Sequence, residues 1–238
     1  MTEKSLIDAR LRDIEENYKE IKENVAAAAR RAGRSPDEVR FMAVTKPVEP
    51  VFINHALSLG VDLIGENKVQ ELLSKLEYLQ PANVEKHIIG HLQSNKARKI
   101  AGVVSMVESV DSVSLARELS RQSEKAGVCT GILLEVNIGE EASKTGFRFD
   151  AVLEAADEIA SLPGLSLRGL MAVPPLEAEE PALRGYFSKM RRLFEDMKPS
   201  FTGFDTLSLG MSGDYPIAIE EGATLIRVGS ALFGARRY

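Results

Sequence analysis

The 238-residue chain has a single cysteine, Cys129, and only three histidines, His55, His87 and His91. One thiol cannot close an internal disulfide, which fits a reducing cytosol. Ahead of a predicted strand, Cys129 reads as a small buried hydrophobe rather than a nucleophile. The histidines are isolated and no Cys/His cluster has ligand spacing, so no metal site is expected. No apolar run approaches the roughly 18 residues of a membrane span. The N-terminus is charged and has no apolar h-region, so no secretory signal is read and the expected location is cytoplasmic. A G-x-G-x-x-G turn, the usual mark of an open dinucleotide-binding sheet, is absent. The formal charge of −5 and pI near 5.4 argue against nucleic acid as a partner. There is no linker, no solenoid-length repeat and no low-complexity tract beyond Ala26–Ala29. With 44% hydrophobic residues, the chain reads as one domain over residues 1–238, close to the roughly 250 residues of a single barrel.

What is present is an alternation. Short, nearly continuous apolar runs fall at Val39–Thr45, Val61–Ile64, Lys86–Ile89, Val103–Val107, Gly131–Val136, Leu167–Ala172, Leu207–Leu209 and Leu225–Val228. Continuous apolar runs suit strands buried on both faces. Helical segments separate them at Asn67–Leu79, Val113–Lys125, Ala151–Ala160 and Leu183–Met197, the last with Phe187, Met190 and Phe194 at helical spacing. Eight strands alternating with helices predict an α/β fold, a single (β/α)8 TIM-type barrel. An extra helix precedes it over residues 1–33. Ile7, Leu11, Ile14, Tyr18, Ile21, Val25 and Ala28 form one stripe along it, ending near Gly33. The stripe is expected to pack on the barrel's outside or bottom; a coiled-coil seam to a second copy is the alternative.

Catalytic and binding groups of such barrels stand where strands end at their C-terminal side. There the chain places Lys46 before Pro47, then Glu66-Asn67, His91 and Asn137, and Met171 near the end of strand six. The last two strands end in glycine-serine turns, Gly210-Met-Ser-Gly-Asp214 and Gly229-Ser230. Glycine lets a backbone turn tightly and present N–H groups, and two such turns together would cradle a phosphate. The lower strand ends are expected to carry no comparable polar set. A lysine at a barrel mouth loses its proton readily when desolvated and can then attack a carbonyl. Beside a phosphate cradle, the natural occupant carries both an aldehyde and a phosphate. Pyridoxal 5′-phosphate (PLP) is the prime candidate, and a phosphorylated sugar is the competitor. Asp214 reads as an N-cap for the helix that Tyr215-Pro216 begins, and Ser94 or Asn95 as a cap after strand three. His87 reads as structural, being far from the mouth; Glu66 and His91 are left between structural and functional roles.

Ala43-Val-Thr-Lys-Pro47, Gly65-Glu-Asn-Lys-Val-Gln-Glu71, His87-Ile-Ile-Gly-His-Leu-Gln-Ser-Asn-Lys96, Gly169-Leu-Met171, Leu209-Gly-Met-Ser-Gly-Asp214 and Ile226-Arg-Val-Gly-Ser-Ala-Leu-Phe-Gly234 occur in this order. Together they resemble the pyridoxal phosphate homeostasis proteins, whose fold is similar to the N-terminal barrel of bacterial alanine racemase. The resemblance implies that Lys46 carries PLP covalently, as an internal aldimine. It implies that Ser212 and Gly213 bind the phosphate from one turn, and Gly229 and Ser230 from the other. Asn67 would lie near the cofactor ring or its hydroxyl, Met171 would pack in the pocket, and Arg227 would face the pyridine nitrogen. A guanidinium stays charged and disfavours a protonated pyridinium nearby, which weakens the ring as an electron sink.

The function expected is therefore a carrier or buffer for PLP, with no catalytic residues assigned and PLP-dependent apoenzymes as possible recipients. The alternative is an amino-acid racemase of the alanine racemase type. Racemisation needs acid-base groups on both substrate faces, and the racemase's second base belongs to a further C-terminal domain. The chain is expected to lack that domain, because it stops at Tyr238. A Schiff-base aldolase on a phosphorylated sugar is the third reading, and it leaves Arg227 without a role. A monomer is the expected state.

Overall fold

The eight strands close into a barrel in sequence order. They are β1 (Arg40–Val44), β2 (Leu63–Glu66), β3 (Glu85–Ile88), β4 (Met106–Val110), β5 (Thr130–Val136), β6 (Leu165–Ala172), β7 (Thr206–Ser208) and β8 (Leu225–Val228). Every neighbouring pair is parallel, and β8 returns to β1 with Arg40 opposite Leu225 and Ala43 opposite Val228. The computed structural model describes residues 3–141, 145–176 and 178–235. Glu177 and the terminal Tyr238 lie outside the described residues.

The helices are α1 (Glu3–Arg31), α2 (Pro50–Ser58), α3 (Val69–Lys75), α4 (Ala97–Ile100), α5 (Val113–Ala126), α6 (Val152–Ala160), α7 (Glu180–Met197), α8 (Tyr215–Glu220) and α9 (Ser230–Phe233). Their ends follow local chemistry. The Ser112 hydroxyl accepts the N–H of Leu115 at the start of α5, and Gly127 ends that helix in the left-handed region at φ 67°. No described helix is long and apolar enough to cross a membrane.

Strand alternation sends every second side chain inward. Outward residues such as Ala43, Ile64, Ile88, Val107, Leu134, Leu170, Leu207 and Ile226 join one large core with the helices. Inward residues form two small apolar clusters, Met42, Leu63 and Leu225 in one, and Met106, Leu133 and Met171 in the other. Further inward filling is polar: His87, Glu108, Ser208 and Arg227 are all buried.

The N-terminal helix follows its predicted stripe. Ile14, Ile21, Val25 and Ala28 are buried, while Ile7, Leu11 and Tyr18 pack partly buried against the same core. The partners are α2, α8 and α9, so the stripe is spent on the barrel's own outer wall. Two side-chain amides fasten it there: Asn17 donates to the Leu232 carbonyl at 3.0 Å and Asn24 to the Tyr215 hydroxyl at 3.1 Å. The helix thus braces α8 and α9, which follow the two glycine-serine turns.

Four local expectations are corrected. The fourth strand lies at Met106–Val110, not Val103–Val107, because Val103 and Val104 close the turn after α4 through N–H bonds to the Ile100 carbonyl. The helix predicted over Asn67–Leu79 is α-helical only at Val69–Lys75, and Leu76–Tyr78 tighten into a 3-10 turn. Gln93, rather than Ser94 or Asn95, stands at the cap position after β3, and it makes no side-chain cap bond. Cys129 is exposed just before β5, because the buried stretch begins one residue later at Thr130.

Ile14 is fully buried under the outer wall. Ile14→Ala should therefore cost about 2–5 kcal/mol in urea-induced unfolding. A cost well under that range would mean the helix is not packed as described.

Candidate functional site

Lys46 sits at the crest of a tight turn. The Thr45 N–H still pairs with the Gly65 carbonyl at 3.0 Å, and the Val48 N–H turns back to the Thr45 carbonyl at 2.7 Å. Lys46 is half-buried there. Behind the turn, on the outward side of the strands, Glu66 is fully buried. One of its oxygens accepts the Thr45 hydroxyl at 2.8 Å and Lys75 Nζ at 2.5 Å. Lys75 also donates to the Thr45 carbonyl at 2.8 Å. Lys75 thereby grips the peptide next to Lys46 from α3. Glu66 is thus a structural group, and Lys75 was missed by sequence reasoning. The available signal was a carboxylate in a buried strand, which demands a counter-charge nearby.

Asn67 follows Glu66 just past the end of β2. Its Oδ1 is buried without a hydrogen-bond partner. Gly90 makes room beside it, since a Cβ there would come within 2.5 Å of the Asn67 carbonyl oxygen. Across the mouth, Met171 is buried at the end of β6 against Met106 and Leu133.

The two glycine-serine turns are joined. The Ser212 hydroxyl oxygen accepts the N–H of Gly229 at 3.1 Å and that of Ala231 at 3.2 Å. Both N–H groups belong to the start of α9, so Ser212 locks the β7 turn onto the β8 turn. Gly210 has φ 87°, and a Cβ on it would lie 2.6 Å from that of Ala218; glycine is what lets α8 pack so closely. Gly213 and Ser230 are exposed on these turns, and an added Cβ at Gly213 would meet nothing within 4 Å. Asp214 does not cap α8 with its side chain, contrary to expectation. Its Oδ1 accepts the Met211 N–H at 2.5 Å instead, closing its own turn. Burial pushes the Asp214 carboxyl up, and the Met211 bond and Arg227 oppose that shift.

Arg227 enters the barrel from β8 and is buried. Nη1 donates to the Ser208 carbonyl at 2.8 Å and to the Ser208 hydroxyl at 2.6 Å, and Nη2 donates to the Ala172 carbonyl at 3.0 Å. Burial pulls its pKa below the ordinary arginine value, while Glu108, Asp214 and Glu135 oppose that. The polar string continues downward. Ser208 donates to Glu108 at 2.6 Å, Glu108 meets His87 Nδ1 at 2.7 Å, and His87 Nε2 meets Glu85 at 2.9 Å. Glu85 also accepts from Arg40 at 2.8 Å, so the lower end does carry charged groups. They escaped notice because each lies in the first residues of a strand, where charge reads as solvent-facing. Burial works against a charged His87, but the bonds to Glu108 and Glu85 together hold its pKa above 6.5.

Glu135 ends β5 with Oε2 buried and unpartnered; burial foremost, and Asp111 nearby, push its carboxyl up. His91 is more than half exposed and meets Asp111 at 2.9 Å, which makes it a rim group rather than an interior one.

The fold and the mouth place this chain in a class. The family model for the alanine racemase N-terminal domain matches residues 17–237, which contain all eight strands. Among curated relatives, the pyridoxal phosphate homeostasis protein of Escherichia coli (strain K12) is 38% identical over 231 residues, 96% of this chain and 99% of that one. The protein of the same name from Aquifex aeolicus is 36% identical over 224 residues, 94% of this chain and 98% of that one. The solved structure of PipY from Synechococcus elongatus PCC7942 with PLP bound superposes with a TM-score of 0.78 at 31% identity, covering 90% of this chain and 100% of that one. The chain belongs to the pyridoxal phosphate homeostasis protein family.

Two outcomes follow from the site's charges. Lys75→Met strands the Glu66 carboxylate and should cost about 3–5 kcal/mol in denaturant unfolding; Glu66→Gln in the same chain should recover part of it. No loss in Lys75→Met would mean the pair carries nothing. His87 has a folded pKa raised above 6.5, so its contribution is complete below that pH and fades as the pH climbs through the folded value. Urea unfolding from about pH 6 to about pH 9 should show wild type losing its margin over His87→Gln as pH rises. A margin that stays flat contradicts this.

Proposed function

We propose that the chain is a cytoplasmic PLP carrier, linked covalently to the cofactor through Lys46 Nζ. The observation that carries the reading is one rim on which Lys46 shares the mouth with two glycine turns locked together by Ser212. PLP, when bound, supplies a reactive aldehyde on a phosphate-bearing pyridine ring. The residues present suit such a group. With Ser212 Oγ accepting two N–H bonds, its own proton is the one left to donate to a phosphate oxygen. Gly213, Gly229 and Ser230 line the same cradle, where no side chain hinders an anion's approach to the backbone.

The unpartnered Oδ1 of Asn67 calls for a donor such as a ring hydroxyl. Met171 gives the mouth an apolar floor. Arg227 has five N–H donors, of which three go to Ser208 and Ala172, leaving the Nε–H and one Nη2–H. These can only donate, so a ring nitrogen meeting them stays unprotonated. That arrangement holds the cofactor without driving carbanion chemistry, which suits storage and hand-over to PLP-dependent apoenzymes.

The test is the visible spectrum of the protein with added PLP, followed by borohydride reduction and peptide mapping. A pyridoxyl group on Lys46, with Lys46→Ala retaining only weaker, non-covalent PLP, is the expected result. An unchanged spectrum and equal retention in Lys46→Ala would remove Lys46 from the site. Amino-acid racemisation assays on the same preparation separate a carrier from a racemase.

A further inference from the structure

The polar string beneath the mouth has one sense of donation that satisfies every member. His87 is only 1% exposed and both its ring nitrogens face carboxylate oxygens, Glu108 at 2.7 Å and Glu85 at 2.9 Å. Ionised carboxylates only accept, so a neutral ring would aim a lone pair at one of them. With both carboxylates accepting, both nitrogens carry protons and the ring is an imidazolium, the direction in which its bonds to Glu108 and Glu85 push its pKa. The second Glu108 oxygen takes the Ser208 hydroxyl proton at 2.6 Å. Having donated, Ser208 Oγ receives Nη1 of Arg227, also at 2.6 Å. At the lower end, the other Glu85 oxygen accepts from Arg40 at 2.8 Å, with Asp62 also 3.7 Å from that guanidinium and the Ser105 hydroxyl donating to Glu85 at 3.3 Å. Charges alternate along the string: Arg40 positive, Glu85 negative, His87 positive, Glu108 negative and, through Ser208, Arg227 positive. Arg227 has no direct carboxylate partner among the described hydrogen bonds. Its nearest counter-charge along this string reaches it through one hydroxyl.

We propose that Glu108 and His87 are positioning residues. Through Ser208 they fix the Arg227 guanidinium under the barrel mouth, and so set the electronic state of a bound PLP ring. This rests on the reading that Arg227 meets the ring nitrogen. The string's sense matters as much as its existence. In Glu108→Gln, a side-chain oxygen can still accept from His87, but the amide N–H2 then points at Ser208 Oγ. That oxygen would then accept from both the amide and Arg227 Nη1, its own proton would lose its acceptor, and the carboxylate counter-charge behind Arg227 would be gone, leaving the guanidinium on the Ser208 and Ala172 carbonyls.

The experiment combines two readouts on Glu108→Gln, Ser208→Ala, Ser208→Thr and Arg227→Gln. The first uses the protein without PLP, where imidazole 15N shifts near neutral pH report the protonation of His87. Wild type should show a doubly protonated ring, and Glu108→Gln should move it toward the neutral form. The second is the absorption band and affinity for PLP. Glu108→Gln and Ser208→Ala should shift the band and weaken binding about ten- to hundredfold, the scale of a lost hydrogen bond to a charged group. Ser208→Thr, which keeps the hydroxyl, should restore both.

A neutral His87 in wild type overturns the proposal. So do wild-type band and affinity in folded Ser208→Ala, which decides the matter should Glu108→Gln fail to fold. If Arg227→Gln itself leaves the band untouched, the reading of Arg227 as the ring's partner fails, and the proposal falls with it. A band moved by Arg227→Gln but by neither Glu108→Gln nor Ser208→Ala overturns the string alone.

Discussion

A closed eight-stranded barrel must fill its own middle, and this one fills part of it with charge. Apolar clusters around Met42 and Met106 occupy two portions of the interior. Between the lower rim and the mouth runs the string from Arg40 to Arg227, with its buried members paired in order. A buried charge without a partner costs several kcal/mol, so each member constrains the next. Arg227 rests on Ser208, the Ser208 hydroxyl donates to Glu108, and Glu108 meets His87. The polar interior is thus one cooperative object rather than four separate residues.

Two further devices position the mouth from outside. On the β1 and β2 side, Lys75 and Glu66 hold the backbone on which Lys46 turns. On the β7 and β8 side, Ser212 fastens the two turns to each other. The N-terminal helix fastens α8 and α9, through Asn24 and Asn17, to the outer wall. Lys46 and the two glycine turns, on different strands, keep their spacing only if both supports are rigid. The fold meets that need with short bonds behind the site, leaving the mouth itself to small residues and a half-buried lysine.

Much of this was legible in the chain. The eight apolar runs, their alternation with helices and the glycine-serine turns after the last two strands gave the barrel and its mouth, and β8 fell on Leu225–Val228 as predicted. The α1 stripe named the face that is buried. The misplaced fourth strand has an identifiable cause. Glu108 sits in the middle of β4, and a charge there broke the apolar run, so the strand was placed too early, on Val103–Val107. The same residue is the hub of the interior string. Lys75 was passed over because one lysine on an amphipathic helix is ordinarily solvated.

Local pattern determined which segments are strands and helices, where the strands end, and that a lysine, an asparagine and two glycine turns stand on one rim. Those properties depend on neighbours in sequence and on alternation. Only the closed barrel decided that residues from β3, β4, β7 and β8 meet at its centre, that His87 faces two carboxylates, and that Asp214 closes a turn rather than capping a helix. Such contacts join residues as far apart as Glu108 and Ser208. They exist because closure removes water from the interior and leaves each buried polar atom only another strand's side chain to satisfy it.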